Sequence, residues 1–266
     1  MTSEASPEEI AAATAYENLF VQALFAEWPP HLLAAAGAAP GDRLLDVACG
    51  TGILAREAAS RVGPAGTIAG VDPNAGMLSV AAGAAPEIEW RRGTAEELPF
   101  DDASFDVVAS QFGLMFFADR LGALREMRRV LRPGGRLVVA VWDSLDRHPG
   151  YAAEVELLDR FGGTAAGDAL RAPFVLGERA ELDALFAELG AGTPSIETRV
   201  GTARFPDIRT MVEADLRGWL PVMGVFLSEE QIDTILRHAE THLADVLTDD
   251  GVRFASPAHV VSLQLP

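Results

Sequence analysis

The stretch Leu44-Leu45-Asp46-Val47-Ala48-Cys49-Gly50-Thr51-Gly52 constrains this chain more than any other. A short apolar run ends on a carboxylate, enters a glycine-rich turn, and gives way to a helical pattern from Ile53. Strand, turn and helix N-terminus in that order open nucleotide-binding α/β domains. Glycine lets backbone approach a ligand with no Cβ in the way. A carboxylate at the strand tip repels a pyrophosphate and attracts an ammonium group. The turn therefore reads as a cradle for a zwitterionic nucleoside rather than for a phosphate.

The pattern around that turn is one of alternation. Strands are predicted at Arg43–Val47, Thr67–Val71, Ile88–Arg92, Phe105–Ser110 and Arg136–Val141, with helices near Ile53–Val62, Ala75–Ala84 and Leu121–Leu131 between them. Such alternation means a parallel sheet covered on both faces, with ligands at the carboxyl ends of its strands. Asp46, Asp72, Thr94 and Ser110 all fall at or just past predicted strand ends. Upstream, Ser6-Pro7-Glu8-Glu9 carries an N-cap, a first-turn proline and a capping-box glutamate. A helix is predicted from there to about Trp28, stopped by Pro29-Pro30 and followed by a short helix at His31–Ala36. Past Trp142 the pattern loosens. Asp143–Leu176 reads as mobile helices and loops, Arg179–Leu189 as a helix and Ile196–Phe205 as a sixth strand. Asp207–Leu220 and Ser228–Leu247 read as helices, and Val252–Leu263 as a last strand.

Bulk properties exclude several functions. A chain of 266 residues can bury a large core as one elaborated domain. No apolar run is long enough to span a bilayer, and the opening Thr, Ser and Glu lack a signal peptide's basic region. A soluble cytoplasmic protein, monomer or homodimer, is expected. The net charge of −18 argues against nucleic-acid partners, which need basic patches. The one Arg-dense segment, Arg125–Arg136, falls at a helix C-terminus, where cations complement the dipole. Every basic side chain is Arg, so neither a Schiff-base lysine nor a P-loop lysine exists here. The single cysteine, Cys49, forbids disulfides or multi-cysteine metal sites within the chain and reads as a small packing residue. His238 and His242 stand four apart on a predicted helix, but no third ligand accompanies them, and no metal is expected.

Four stretches in order resemble the class I S-adenosylmethionine-dependent methyltransferases: LLDVACGTG, VDPNAGML (Val71–Leu78), Trp90–Phe117 and LREMRRVLRPGGRLVVAVW (Leu124–Trp142). Their spacing is most similar to the small-molecule branch containing the ubiquinone and menaquinone methyltransferases, and the likeness covers about residues 40–142. The resemblance implies an α/β, Rossmann-like, seven-stranded and mostly parallel sheet with helices on both faces and a helical cap, all in one domain. Residues 1–39 would cover the site, 40–142 bind cofactor, 143–177 and 206–250 form the cap, and 178–205 with 251–266 complete the sheet. It implies S-adenosylmethionine as cofactor, S-adenosylhomocysteine as product and a small organic methyl acceptor as partner.

The resemblance also distributes roles. Asp46 pairs with the methionine ammonium, Gly50 and Gly52 let backbone pass along the ligand, and Ala48 stands where a third glycine is common. Asp72 accepts the ribose hydroxyls, with Pro73, Asn74 and Met77 beside it. Gly93, Thr94, Ala95 and Glu96 form the adenine-edge loop. Ser110, Phe112 and Met115, with Phe116, flank adenine and the methyl group. Tyr16 and His148 are the candidates for a general base, His148 being equally readable as a solvent-facing loop residue. Other readings stay open: Asp46 as a helix-dipole partner, Asp72 as an N-cap, Phe112 as core. Because Gly50-x-Gly52-x-x-Ala55 nearly satisfies the dinucleotide fingerprint, an NAD-dependent oxidoreductase is the rival enzyme class. A non-catalytic scaffold of the same fold is the non-enzyme alternative.

Overall fold

The computed structural model describes residues 5–266. The first helix, α1 (Pro7–Tyr16), runs into a π-helical segment at Glu17–Phe25, and α2 (Pro29–Ala35) follows with proline in its first turn. The capping box forms: Ser6 Oγ accepts the Glu9 amide at 3.2 Å, and the Glu9 carboxylate accepts the Ser6 amide at 2.7 Å. Strands β1 (Arg43–Val47), β2 (Thr67–Asp72), β3 (Glu89–Arg92), β4 (Phe105–Gln111) and β5 (Leu131–Trp142) alternate with α3 (Ile53–Val62), α4 (Ala75–Ala84) and α5 (Arg120–Val130). Strand order is β3-β2-β1-β4-β5-β8-β6; the first five run parallel, and β8 (Gly251–Gln264) lies antiparallel between β5 and β6 (Ser195–Phe205). Order reverses between β1 and β4, which puts the crevice for a ligand at their carboxyl ends. β1 and β4 are buried almost throughout, as central parallel strands must be. α5 turns Ala123, Leu124, Met127 and Val130 into the core, one stripe at helical spacing.

The segments after β5 are more helical and more irregular than the sequence predicts. Asp143–Leu176 contains α6 (Pro149–Leu157), a π segment at Leu158–Gly162 and α7 (Thr164–Arg171), and α8 (Arg179–Leu189) follows. After β6 come α9 (Ile208–Ala214), a π segment at Asp215–Trp219, α10 (Leu220–Val222) and α11 (Glu229–His242). The predicted helix to Leu247 is too long. The chain turns at the buried Leu243, and Leu247–Thr248 forms β7, an eighth strand closed on β8 by the Thr248 hydroxyl donating to the Gly251 carbonyl at 2.7 Å. β5 starts five residues earlier than predicted in the Leu131–Trp142 numbering. Leu131 pairs with Phe105, and an irregularity absorbs the Pro133-Gly134-Gly135 turn with Gly134 at φ +74°. Among the described residues no helix is long and apolar enough to cross a membrane.

Two contacts seat the N-terminal helix over the carboxyl edge of the sheet. A Cβ at Gly76 would collide with the backbone of Glu9, so α1 crosses α4 at a distance only glycine permits. Glu17 then pairs with Arg56 of α3 at 2.6 Å, both side chains largely shielded. The helix is thereby fastened to the two helices that leave β1 and β2.

Candidate functional site

Asp46 and Asp72 sit at the tips of the neighbouring strands β1 and β2. Asp46 is 1% exposed; its Oδ2 accepts the Ala55 amide at 3.1 Å, while its Oδ1 is buried with no partner. Burial, against the opposing Ala55 hydrogen bond and aided by the Asp72 charge, pushes its carboxyl up to about 8. Asp72 bridges two backbone groups: Oδ2 accepts the Gly50 amide at 2.9 Å and Oδ1 the Asn74 amide at 2.8 Å. Burial raises this carboxyl too, with the two amides opposing the shift. Each oxygen of Asp72 keeps a lone pair in addition to the one it has engaged.

The turns beside these acids are strained in the manner of ligand-binding loops. Ala48 and Phe112 occupy left-handed backbone at φ +57° and +58°, in the loops after β1 and β4. A Cβ on Gly113 would lie 2.7 Å from Ser110 Oγ and 2.8 Å from Ala48 Cβ, so the two loops abut at a glycine. Ser110 Oγ and Thr51 Oγ1 are buried and unpartnered. Gly50 has Tyr16 as its facing side chain, with ring carbon Cε1 3.9 Å from where a Cβ would stand. Gly52 has another duty. A Cβ there would strike the Trp90 ring, as would one on Gly70, so Gly52 serves the packing of Trp90, whose Nε1 donates to the Ala85 carbonyl at 2.9 Å.

The remaining assigned residues divide. Asn74 is exposed and caps α4, its side chain accepting the Met77 amide at 3.0 Å, while Met77 is half-buried. Pro73 is exposed, and its carbonyl accepts from Arg92 at 3.0 Å; Gly93 packs against Pro99 and Val71. Thr94 is exposed and Ala95 buried. The Glu96 carboxylate accepts the Ala118 amide at 3.0 Å, which commits it to the start of α5. Met115 is buried. Phe112 stacks on Trp142 at 3.8 Å between centroids and meets Phe25 and Trp28, which is a core environment at the mouth of the site.

Tyr16 is half-buried, stacked on Phe25 at 5.6 Å. Burial, then the charges of Asp72, Glu17 and Asp46, push its phenol well above the ordinary tyrosine range. It is a neutral hydroxyl donor here, poorly suited to act as a base. His148 corrects the solvent-facing reading: it is 0% exposed, its Nδ1 3.1 Å from the Ser144 carbonyl, its Nε2 buried without a partner. Packing against Trp142 and Phe174 excludes water, and burial pushes the ring down to about 4, so the imidazole is neutral at pH 7. His238 stacks on Phe161, and His242 contacts Glu156 at 3.0 Å, so the pair turns to separate neighbours. Sequence reasoning assigned no place to Phe25 and Trp142, whose rings pack on Tyr16 and Phe112. Nothing in a local pattern marks which distant ring an aromatic at a strand end will meet.

The donor set fits S-adenosylmethionine. A buried acceptor without a partner, Asp46 Oδ1, suits an ammonium, and the free lone pairs of Asp72 suit ribose hydroxyls. Residues 45–139 match the family described as "Methyltransferase domain". The matched stretch runs from β1 into β5 and carries both Asp46 and Asp72. Its relatives include the ubiquinone/menaquinone biosynthesis C-methyltransferase of Ectopseudomonas mendocina, 44% identical over 118 residues, 42% of this chain and 46% of that one. A 2-phytyl-1,4-naphtoquinone methyltransferase of Synechococcus elongatus is 38% identical over 149 residues, 53% of this chain and 62% of that one. The likeness thus spans about half the length of the curated relatives. Among solved structures, the Bacillus YcgJ protein shares the fold at a TM-score of 0.60 and 20% identity, covering 90% of this chain and 98% of that one. A Haemonchus contortus phosphoethanolamine N-methyltransferase does so at 0.61 and 20%, covering 97% of this chain and 57% of that one.

Proposed function

We propose that this chain transfers a methyl group from S-adenosylmethionine to a small organic acceptor. The observation that carries the reading is the buried, unpartnered Oδ1 of Asp46 beside a ribose-competent Asp72. A pyrophosphate brings no donor to the unpartnered Asp46 Oδ1, whereas an ammonium brings three, which disfavours the NAD-dependent alternative. When bound, the sulfonium supplies an already activated leaving group, so in-line displacement needs chiefly alignment, worth effective molarities of roughly 10⁵–10⁸ M in well-oriented cases. In this reading Asp46 holds the ammonium, Asp72 the ribose, and the Gly50 turn the space between. Tyr16 closes the pocket from the N-terminal helix and presents a hydroxyl. Of residues 1–39, the described part from residue 5 onward covers the cofactor, and residues 143–177 and 206–250 form the acceptor cap. Because the curated relatives match mainly the cofactor half, their quinone-type acceptors do not carry over to the cap.

Calorimetry with S-adenosylmethionine, S-adenosylhomocysteine, NAD and NADP tests the reading. The two adenosyl ligands are expected to bind and the dinucleotides not to; tight NAD binding without adenosylmethionine binding overturns it. Incubating the pure protein with a metabolite extract and methyl-labelled cofactor then separates an enzyme from a scaffold.

A further inference from the structure

Five carboxylates are buried among the described residues: Asp46, Asp72, Asp106, Glu154 and Asp215. Only Asp106 has cationic partners, Arg43 and Arg132. Asp46 and Asp72 belong to the cofactor site. Glu154 and Asp215 remain, in the cap, and nothing in methyl transfer from the cofactor uses them. Burial pushes both carboxyls up, Asp215 to about 8, and buried acceptors that no donor meets are costly even when protonated, which makes a structural role for the pair an expensive one.

Glu154 lies on α6 and Asp215 opens the π segment after α9; the two carboxyl groups are within hydrogen-bonding reach of each other. Glu154 is 0% exposed and Asp215 3%. Both oxygens of Glu154 and Oδ2 of Asp215 have no donor facing them. A shared proton can satisfy one contact between them and leaves the remaining acceptors empty. Tyr151, one turn before Glu154, stands close enough to feel both charges.

A file of rings links Tyr16, which faces Gly50, to Tyr151 beside the pair. From Tyr16 the file runs through Phe25, Trp142, His148 and Phe174 to Tyr151, each neighbour within 6.0 Å between centroids. The Asp215 segment also reaches the site directly: a Cβ on Gly218 would lie 3.8 Å from Phe20, and Trp219 packs on Phe116 at 5.3 Å. Single turns of π-helix such as this one recur at functional sites.

We propose that Glu154 and Asp215, with Tyr151, anchor the ammonium group of a cationic arylalkylamine acceptor whose apolar body lies along the aromatic file. The inference rests on the methyltransferase reading and adds the acceptor's class to it. An ammonium offers three donors and a positive charge to acceptors that have neither, and aromatic faces favour a cation further. It repeats, in the cap, the logic by which Asp46 awaits the ammonium of the cofactor.

The test is calorimetry on the full chain saturated with S-adenosylhomocysteine. Benzylamine, 2-phenylethylamine and 3-phenylpropylamine are each compared with the alcohol of the same skeleton. At least one amine is expected to bind about tenfold or more tighter than its alcohol, the scale of a charged hydrogen bond. Glu154→Gln and Asp215→Asn are each expected to erase that preference while S-adenosylhomocysteine affinity stays within about twofold and thermal melts show folded protein. The isosteric amides keep the volume, so a merely structural pair would move melting temperature and leave amine selectivity alone, which overturns the proposal. So does an absence of selectivity in the parent. If S-adenosylhomocysteine itself fails to bind, the methyltransferase reading falls and takes this inference with it; product binding without amine selectivity overturns this inference alone.

Discussion

The Asp72 carboxylate holds the Gly50 amide at 2.9 Å, tying the tip of β2 to the turn after β1. The same side chain holds the Asn74 amide at 2.8 Å and so fixes the entry to α4 as well. One residue therefore shapes the cradle and presents its free lone pairs to a ligand. Asp72→Ala is expected to lose both roles, at about 1.5–3 kcal/mol for each charge-assisted hydrogen bond to the ligand. Calorimetry with S-adenosylhomocysteine should show affinity weakened by two orders of magnitude or more; parent-like binding would put the cofactor elsewhere.

Asp46 predicts a pH dependence. Its carboxyl, ordinarily near 3.8, stands at about 8 in the folded protein, so between those values the folded chain holds a proton the unfolded chain has released. Stability contributed at this site therefore falls as pH rises from about 4 to about 8. Asp46→Asn removes that loss. In urea titrations the variant should match the parent near pH 4 and exceed it at pH 8. At pH 7, binding of S-adenosylhomocysteine should release a proton from the parent and not from the variant, read as a dependence of binding heat on buffer ionisation enthalpy.

His148 predicts the opposite trend. Its ring falls from an ordinary 6.5 to about 4 on burial, so on acidification the unfolded chain takes up a proton first. Stability is present above pH 6.5 and is lost progressively as pH falls toward 4, by something on the order of 3 kcal/mol. Relative to His148→Gln, the parent's urea midpoint should drop between pH 7 and pH 4.5. A constant difference across that range would mean the ring reaches water.

Gly52 is held at φ +84° beneath the Trp90 ring. Gly52→Ala combines left-handed strain with overpacking and should destabilise by about 2–4 kcal/mol. Trp90→Leu opens the space and should recover part of that loss in the double variant, leaving the backbone strain. Thermal melts of the four proteins give the coupling directly; strict additivity would show that the ring and the glycine do not meet.

Much of the cofactor half could be read from residues 40–142, because its signals are local. β1 and α3 fall where the apolar run and the helical period put them, and the acids Asp46 and Asp72 are marked by their place after a strand. Distant partners add what local signals do not carry. Gly52 carries a constraint beyond the turn itself, since Trp90 on β3 fills the space a Cβ would take. The Glu96 carboxylate meets the amide of Ala118, a contact 22 residues away along the chain. The Ser228–Leu247 helix was overextended because helical periodicity does not register a hairpin that closes on β8.

By itself the sequence determined the alternation of strands and helices, the parallel core and the two acids at its carboxyl edge, since each follows from periodicity and turn chemistry within a few residues. Only the tertiary structure decided that His148 is buried rather than exposed, and that the rings from Tyr16 to Tyr151 form one file. It alone decided that Glu154 meets Asp215 away from water. Solvent access and side-chain encounters depend on how separate elements pack, and no spacing along the chain encodes which helix will cover which strand.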